Sequence, residues 1–431
     1  MLLGRDMHRS GGGLRSPPLT DYFRQARCLI EGLGLSVQLS PVLCAEAVTN
    51  EDAFDLLHEE WDELLDVSDQ RVFFLRWSWN RLWWRSYAPP GSHLFLITVR
   101  DERGRLVGLA PFYCRQLRTA GIPHVRELLF LGTGVFTETS QFLDIIARRG
   151  YERLVAVSVA GFLDRRSDWD RLWLSTVPAA STVLPNFKEA LGLEMRTEVL
   201  DRSHIVDTSA DWQTLLHNLG KSTRRNVLRG LRRVSEAYKM EFRLVRTEDE
   251  LEPAFDALVR LHQARWRSLG EPGSFALPGF ESFLRAAARA SLAEGRLRLW
   301  TVSLDGRVAA AKVAFCENGV VYGFQQGFDP DHLKDALGRV ISALCIKACI
   351  EDDRVAEFDF MGGESQYKDT WSKSGRETLT LTAMRPGLRA RIYAGVEGAG
   401  LRVRKVARAI IPSRVKLTVH KVLQRRHYSA S

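Results

Sequence analysis

The chain lacks the patterns that build metal and disulfide sites. Its six cysteines stand apart at 28, 44, 114, 316, 345 and 349, with no C-x-x-C pair, and no H-E-x-x-H occurs. This spacing argues against a metal site and against a disulfide framework. Cys345 and Cys349, four apart in an apolar helical pattern, read as core. No apolar run reaches the roughly 18 residues that a membrane-spanning helix needs. The opening, MLLGRDMHRSGGGLRSPP, has charges where a secretory signal has an apolar block. The expected address is the cytoplasm, with residues 1–44 as a loose leader.

Acids are almost missing from the C-terminal end. Residues 387–431 hold eleven Lys and Arg against one acid, Glu397, a net of +10 that leaves the remainder at −1. The basic balance is therefore local and says nothing general about nucleic acid. Val403, Val406 and Ile410 share one helical face before Pro412; Val415, Val419, Val422 and Leu423 share another after it. Two such basic amphipathic helices suit an anionic membrane surface, here its inner face. Docking of the tail on the body or on a partner is the alternative.

Two passages repeat in the same order. WRSYAPPG (84–91) is echoed by WRSLGEPG (266–273), and TVRDERGRLVGLAPF (98–112) by TVSLDGRVAAAKVAF (301–315). The second copy has about 20 extra residues between its two parts, filled by the helical pattern FALPGFESFLRAAARASLAEG. The echoes predict duplicated halves. In the second, strands 297–304 and 307–315 flank the hairpin turn Asp305-Gly306, and 320–328 is a third strand. A helix follows, with Leu333, Ala336, Leu337, Val340, Ile341 and Leu344 on one face. A strand 355–360, a short helix from about Glu364 and a closing strand 377–384 complete the half. The first half offers strands at 94–100, 105–114 and 127–131. The fold class is α/β, a mixed (α+β) sheet with helices on its faces.

One stretch, FDFMGGESQYKDTW (358–371), packs titratable and aromatic groups around a Gly-Gly break. It is either a well-capped turn or one wall of an active site. Asp359 ends a strand where glycine lets backbone approach a ligand. Glu364 and Lys368 also suit a helical i,i+4 pair, and Tyr367 and Trp371 its packed face. KSTRRNVLRGLRR carries Lys221, Arg224, Arg225, Arg229, Arg232 and Arg233 and no acid. It is either a solvated face or a grip on phosphates of a nucleotide-linked substrate, a CoA or a tRNA. It lacks the interleaved aromatics that stack single-stranded bases.

These elements and residues together resemble the GNAT acyltransferase fold. They resemble more closely the double-GNAT proteins of the CelD-like cellulose and exopolysaccharide biosynthesis group, relatives of the Fem peptidyltransferases. FDFMGGESQYKDTW, LWTVSLDGRVAAAKVAF with VVYGFQQGFDP after it, and STRRNVLRGLRR (222–233) carry the likeness, over roughly residues 45–386. It implies two tandem halves, 45–204 and 205–386, the latter the acyltransferase, with 387–431 as a basic helical tail. It implies an N-acyltransferase moving an acyl group, acetyl above all, from acyl-CoA (acetyl-CoA) to an amine. The amine expected is an amino sugar or an envelope or exopolysaccharide precursor, and no metal is expected.

Acyl transfer to an amine needs a base, donors for the oxyanion and an acid for the leaving thiolate. Asp359 and Glu364 are the candidate bases, Tyr322 the candidate acid, and Lys368 a further catalytic candidate. Gln325, Gln326, Tyr367, Trp371 and Arg225 are candidate substrate contacts. GNAT enzymes usually open the phosphate-binding helix with R/Q-x-x-G-x-G/A; here the stretch is DHLKDALGRV, with Gly338 alone and Lys334 and Arg339 beside it. Two alternatives follow: a Fem-like transferase fed by aminoacyl-tRNA, or a non-catalytic GNAT-fold scaffold at a membrane.

Overall fold

A computed structural model describes residues 42–117, 125–135, 139–352, 354–363, 366–387, 389, 392 and 393. Glu364, nearly all of the leader and the apolar positions of the tail lie outside these residues.

The echoed passages fold alike. The first gives β2 (His93–Arg100) and β3 (Leu106–Leu117); the second gives β10 (Leu297–Leu304) and β11 (Arg307–Glu317). The Asp305-Gly306 turn takes positive φ at both residues, as a tight hairpin requires. WRSYAPPG closes helix α1 (Trp77–Tyr87). Its echo closes α4 (Glu248–Ser268), and the extra residues form α5 (Phe280–Ala293). Between α1 and α4 lie α2 (Glu152–Asp164) and α3 (Lys221–Ala237).

The likeness extends to strand order. In the first sheet β1 (Cys44–Val48), β2, β3 and β4 (Val125–Phe130) run antiparallel. After α2 comes β6 (Arg171–Pro178), parallel to β4; β5 (Ile146–Ala147) pairs with β3. In the second sheet β9 (Met240–Leu244), β10, β11 and β12 (Val320–Phe328) repeat the antiparallel run. After α6 (Leu337–Glu351) comes β13 (Glu357–Asp359), parallel to β12. The fold is mixed α/β, with two tandem halves that share one strand order.

The halves then trade strands. β8 (Ile205–Asp207) follows β7 (Met195–Arg202) of the first sheet and pairs with β13 of the second. β14 (Glu377–Met384), expected to close the second half, lies instead in the first sheet between β6 and β7. β8 fills the slot beside β13, and Leu381 and Ala383 bury into the first core. α4, α5 and α1 cover one face of the second sheet, and α6, backed by α3, covers the other. Phe73 stacks on Phe315 at 4.3 Å, and Phe74 and Trp79 meet Tyr322 and Phe324, so one apolar core joins the halves.

Candidate active site

β12 and β13 stay together for three residues only, Val320–Glu357, Val321–Phe358 and Tyr322–Asp359. β12 then runs on to Phe328 while the other chain turns away. A bulge at Phe324 of β12, opposite Val313 and Ala314 of β11, adds to the divergence. A wedge opens here, along backbone of β12 that no strand among the described residues covers.

One wall of the wedge is polar and rich in donors. From β11, the buried Lys312 reaches past Gly323, where a side chain would come within 3.3 Å of it. Lys312 Nζ lies 3.1 Å from Gln326 Oε1 and 3.5 Å from Ser342 Oγ, and 5.2 Å from the ring centres of Phe358 and Phe360. Gln326 Nε2 donates to the Gly338 carbonyl at 3.0 Å. Burial holds the Lys312 ammonium down at about 8, and Lys368 and Arg265 press the same way. Tyr367 lies in α7 (Gln366–Asp369), with Trp371 just beyond, and both pack against Phe360. Burial pushes the Tyr367 phenol up to about 12. Arg265 sits 4.8 Å over the Phe328 ring, at the mouth.

The Gly-Gly break closes the other side and ties the halves together. Asp359 is fully buried. It accepts from Met361 N at 2.7 Å and from Ser203 Oγ at 3.1 Å, with Arg376 Nη1 at 3.6 Å. Burial lifts its carboxyl to about 6 against the pull of these partners. Gly362 N donates to Gln141 Oε1 (3.1 Å) and Gly363 N to Asp201 Oδ2 (2.5 Å), both from the first half. Lys368 Nζ donates to the carbonyls of Met361 (3.1 Å) and Gly362. Burial lowers its affinity for a proton, opposed by Asp201 and Asp359.

The sequence candidates therefore divide. Gln326, Tyr367, Trp371, Gly338 and Lys368 gather at the wedge. Asp359 is nearby, but with no exposed surface it braces the turn and does not face solvent as a base. Tyr322 is packed under Phe74 and Phe142, and burial drives its phenol upward. Gln325 turns to the buried His262, which burial keeps neutral at about 4.

The helix predicted from Leu333 opens later. Pro330–Asp335 is a 3-10 turn, Ala336 takes φ 52°, and α6 starts at Leu337. Lys334 is exposed on that turn, and Arg339 is half-buried in the first turn of α6. Asp335 is bound by Arg233 (2.9 Å) and His332 (3.0 Å). Arg225 stands apart on the exposed face of α3, in a groove of about 1040 Å³ with Lys221, Arg224, Arg229 and Arg232. α3 packs through Gly230 against Val340, which brings its basic face beside the opening of α6.

Lys312, Arg265, Ser342 and His262 were not singled out by the sequence. Lys312 alone left a signal, one charge inside AAAKVAF.

An acyl-CoA can be tested against these residues. The Leu337 and Gly338 amides face the helix opening, where a phosphate is favoured, while those of Arg339 and Val340 bond to Ala336 O. The Phe328 ring lies 2.7 Å from where a Gly338 side chain would start, so this glycine serves close packing. Arg265, Arg339 and the α3 arginines supply cations. The residues fit a phosphate-bearing thioester, by charge more than by a glycine-rich loop.

Residues 221–369 match the family described as acetyltransferase (GNAT) domain. The chain thus carries the domain of an acyl-transferring enzyme. Among solved structures, FemX aligns at 10% identity over 82% of this chain and 100% of its own, with a TM-score of 0.54. L-PGS from Bacillus licheniformis aligns at 12% identity over 77% and 92%, TM-score 0.47. A tandem GNAT protein from the clavulanic acid biosynthesis pathway aligns at 14% identity over 80% and 100%, TM-score 0.41. FemX supports the fold and nothing finer. No curated protein matches the chain in sequence.

Proposed function

We propose that the chain is an N-acyltransferase that moves an acyl group from acyl-CoA to an amine in the wedge between β12 and β13. The observation that carries this reading is the early parting of these strands inside the acetyltransferase match, with the opening of α6 and a set of cations at its mouth. We further propose an amino sugar or an envelope or exopolysaccharide precursor as acceptor, on the likeness of FDFMGGESQYKDTW to CelD-like proteins. The reaction is proposed for the cytoplasm, with the basic tail against the inner face of the membrane. No helix among the described residues is long and apolar enough to cross a membrane.

Direct attack of the amine on the thioester needs no covalent enzyme intermediate. Lys368, held at the Gly-Gly turn, is the proposed donor to the oxyanion. Tyr367, with its phenol kept protonated by burial, is the proposed acid for the thiolate. Glu364, next to the Gly-Gly turn in sequence, is the proposed base, and Asp359 braces that turn through Met361 N. Arg265 and Arg339 are proposed to hold the phosphates.

The test is release of free thiol from acetyl-CoA against a panel of amino sugars. Thiol release that needs the amine and falls at least tenfold in Lys368→Met supports the reading. Release unaffected by Lys368→Met, Tyr367→Phe and Glu364→Gln would remove this site from the chemistry.

A second reading, a Fem-like transfer from aminoacyl-tRNA, is favoured by one feature. Lys221, Arg224 and Arg225 meet no acid among the described residues, and α3 flanks the same wedge. Phosphate-driven tRNA binding would weaken steeply with salt.

A further inference from the structure

Lys312 is 5% exposed, and no acid among the described residues pairs with it. Its charged neighbours are Lys368 and Arg265, both cations. A buried ammonium without a counter-charge costs several kcal/mol in general. The groups around it are also short of acceptors. The Tyr367 hydroxyl faces Ser342 and Trp371, yet neither it nor the buried Trp371 Nε1 makes a well-formed hydrogen bond. Ser342 Oγ lies 3.0 Å from Gln326 Oε1 and 3.2 Å from the Gly338 carbonyl, so that amide oxygen already serves both Ser342 and Lys312. The ammonium thus sits in a nest with two neutral oxygens, Gln326 Oε1 and Ser342 Oγ, and no anion among the described residues.

We propose that this nest takes a carboxylate borne by the transferred acyl group, with Lys312 as its counter-charge, so that the acyl chain is anionic. The proposal rests on the acyl-transfer reading above and names its donor class, a dicarboxylic acyl thioester. Depth separates this role from phosphate binding. Lys312, on β11, meets α6 at Ser342, more than a full turn past the helix opening, with the Phe358 and Phe360 rings beside it. The cations that suit phosphates, Arg265, Arg339 and those of α3, are half-buried or exposed at the mouth. A carboxylate fits the nest because its two oxygens accept from several donors at once. No bond is made or broken at Lys312, which acts as a specificity residue.

Thermal unfolding of the full chain tests this, with Lys312→Met, and Lys312→Gln should the methionine variant fold poorly. The probes are succinate, its neutral isostere succinamide and inorganic pyrophosphate, at matched ionic strength. The expected result is a rise of about 2 °C in wild-type Tm with succinate, as binding to the native state gives. Succinamide should leave the wild type unmoved, and succinate should leave both variants unmoved. Without ligand, Lys312→Met should be as stable as wild type or more so, since it removes an unpaired charge. Equal succinate shifts in wild type and variants, or equal effects of succinamide, would overturn the proposal. A pyrophosphate shift that depends on Lys312 in place of the succinate shift would also overturn it and make the nest a phosphate site. These readouts use no CoA, so loss of thioester binding with the succinate effect intact would strike the donor reading alone.

Discussion

Two buried groups of opposite charge set pH windows that differ in sign. Burial raises the Asp359 carboxyl to about 6, so the folded state holds its proton more tightly than the unfolded chain does. That contribution is fully present below the ordinary carboxylate range and is lost as pH rises through about 6. Asp359→Asn should flatten the fall in stability across this window by roughly 2–3 kcal/mol, read from urea unfolding at a series of pH values. Lys312 behaves conversely. Its folded-state pKa is held down at about 8, so its contribution is present above the unfolded lysine range and is lost as pH falls through about 8. Wild type should therefore gain stability relative to Lys312→Met between pH 8 and the lysine range. A parallel pair of curves would show that Lys312 titrates as an exposed lysine does. The sequence made Asp359 and Lys368 visible because glycine and charge meet there. Lys312 was overlooked because a strand interior reads as core whatever single polar residue it contains.

At the scale of elements, the second half was largely legible, because its hairpin, third strand and helix each follow a strong period or turn signal. Two details were not. α6 opens at Leu337, after the Leu333 of the apolar pattern, because Asp335 is bound by Arg233 and His332 and Ala336 turns left-handed between the two helical segments. The sheet that β14 joins was not legible because alternation of apolar residues fixes a strand's faces but not its neighbours. The packing of α4 on β12 makes a sharp prediction. A side chain at Gly327 would strike the backbone of Leu258, Leu261 and His262. Gly327→Ala should destabilise by on the order of 3 kcal/mol, measured by denaturant unfolding. A loss below about 1 kcal/mol would mean that α4 yields easily.

At the scale of the whole molecule, the duplicated halves are one folding unit. β8 and β14 are traded between sheets, Asp359 is braced from Ser203, and Arg76 grips Glu317 through bonds of 2.8 and 2.7 Å in the shared core. Arg76→Met leaves the buried Glu317 with Arg296 as its ion-pair partner. It should cost about 3–5 kcal/mol and lower a single calorimetric transition without splitting it. Two separate transitions in wild type would contradict the shared core. The isolated segment 205–386 should not unfold cooperatively, because its β14 lacks β6 and β7, and Phe315 and Phe324 lose their cover from Phe73 and Trp79. The echoes announced the duplication, but an echo cannot report which half completes which sheet.

The central claim is that the wedge beside α6 binds an acyl-CoA. It is tested most directly by calorimetric titration of acetyl-CoA and CoA into wild type and Arg339→Glu, a substitution that reverses charge at the helix opening and spares the packed Gly338. The account predicts binding of both ligands to wild type, weakened at least tenfold in the variant. Folded wild-type protein that binds neither ligand, or a variant that binds both as well as wild type does, would contradict it.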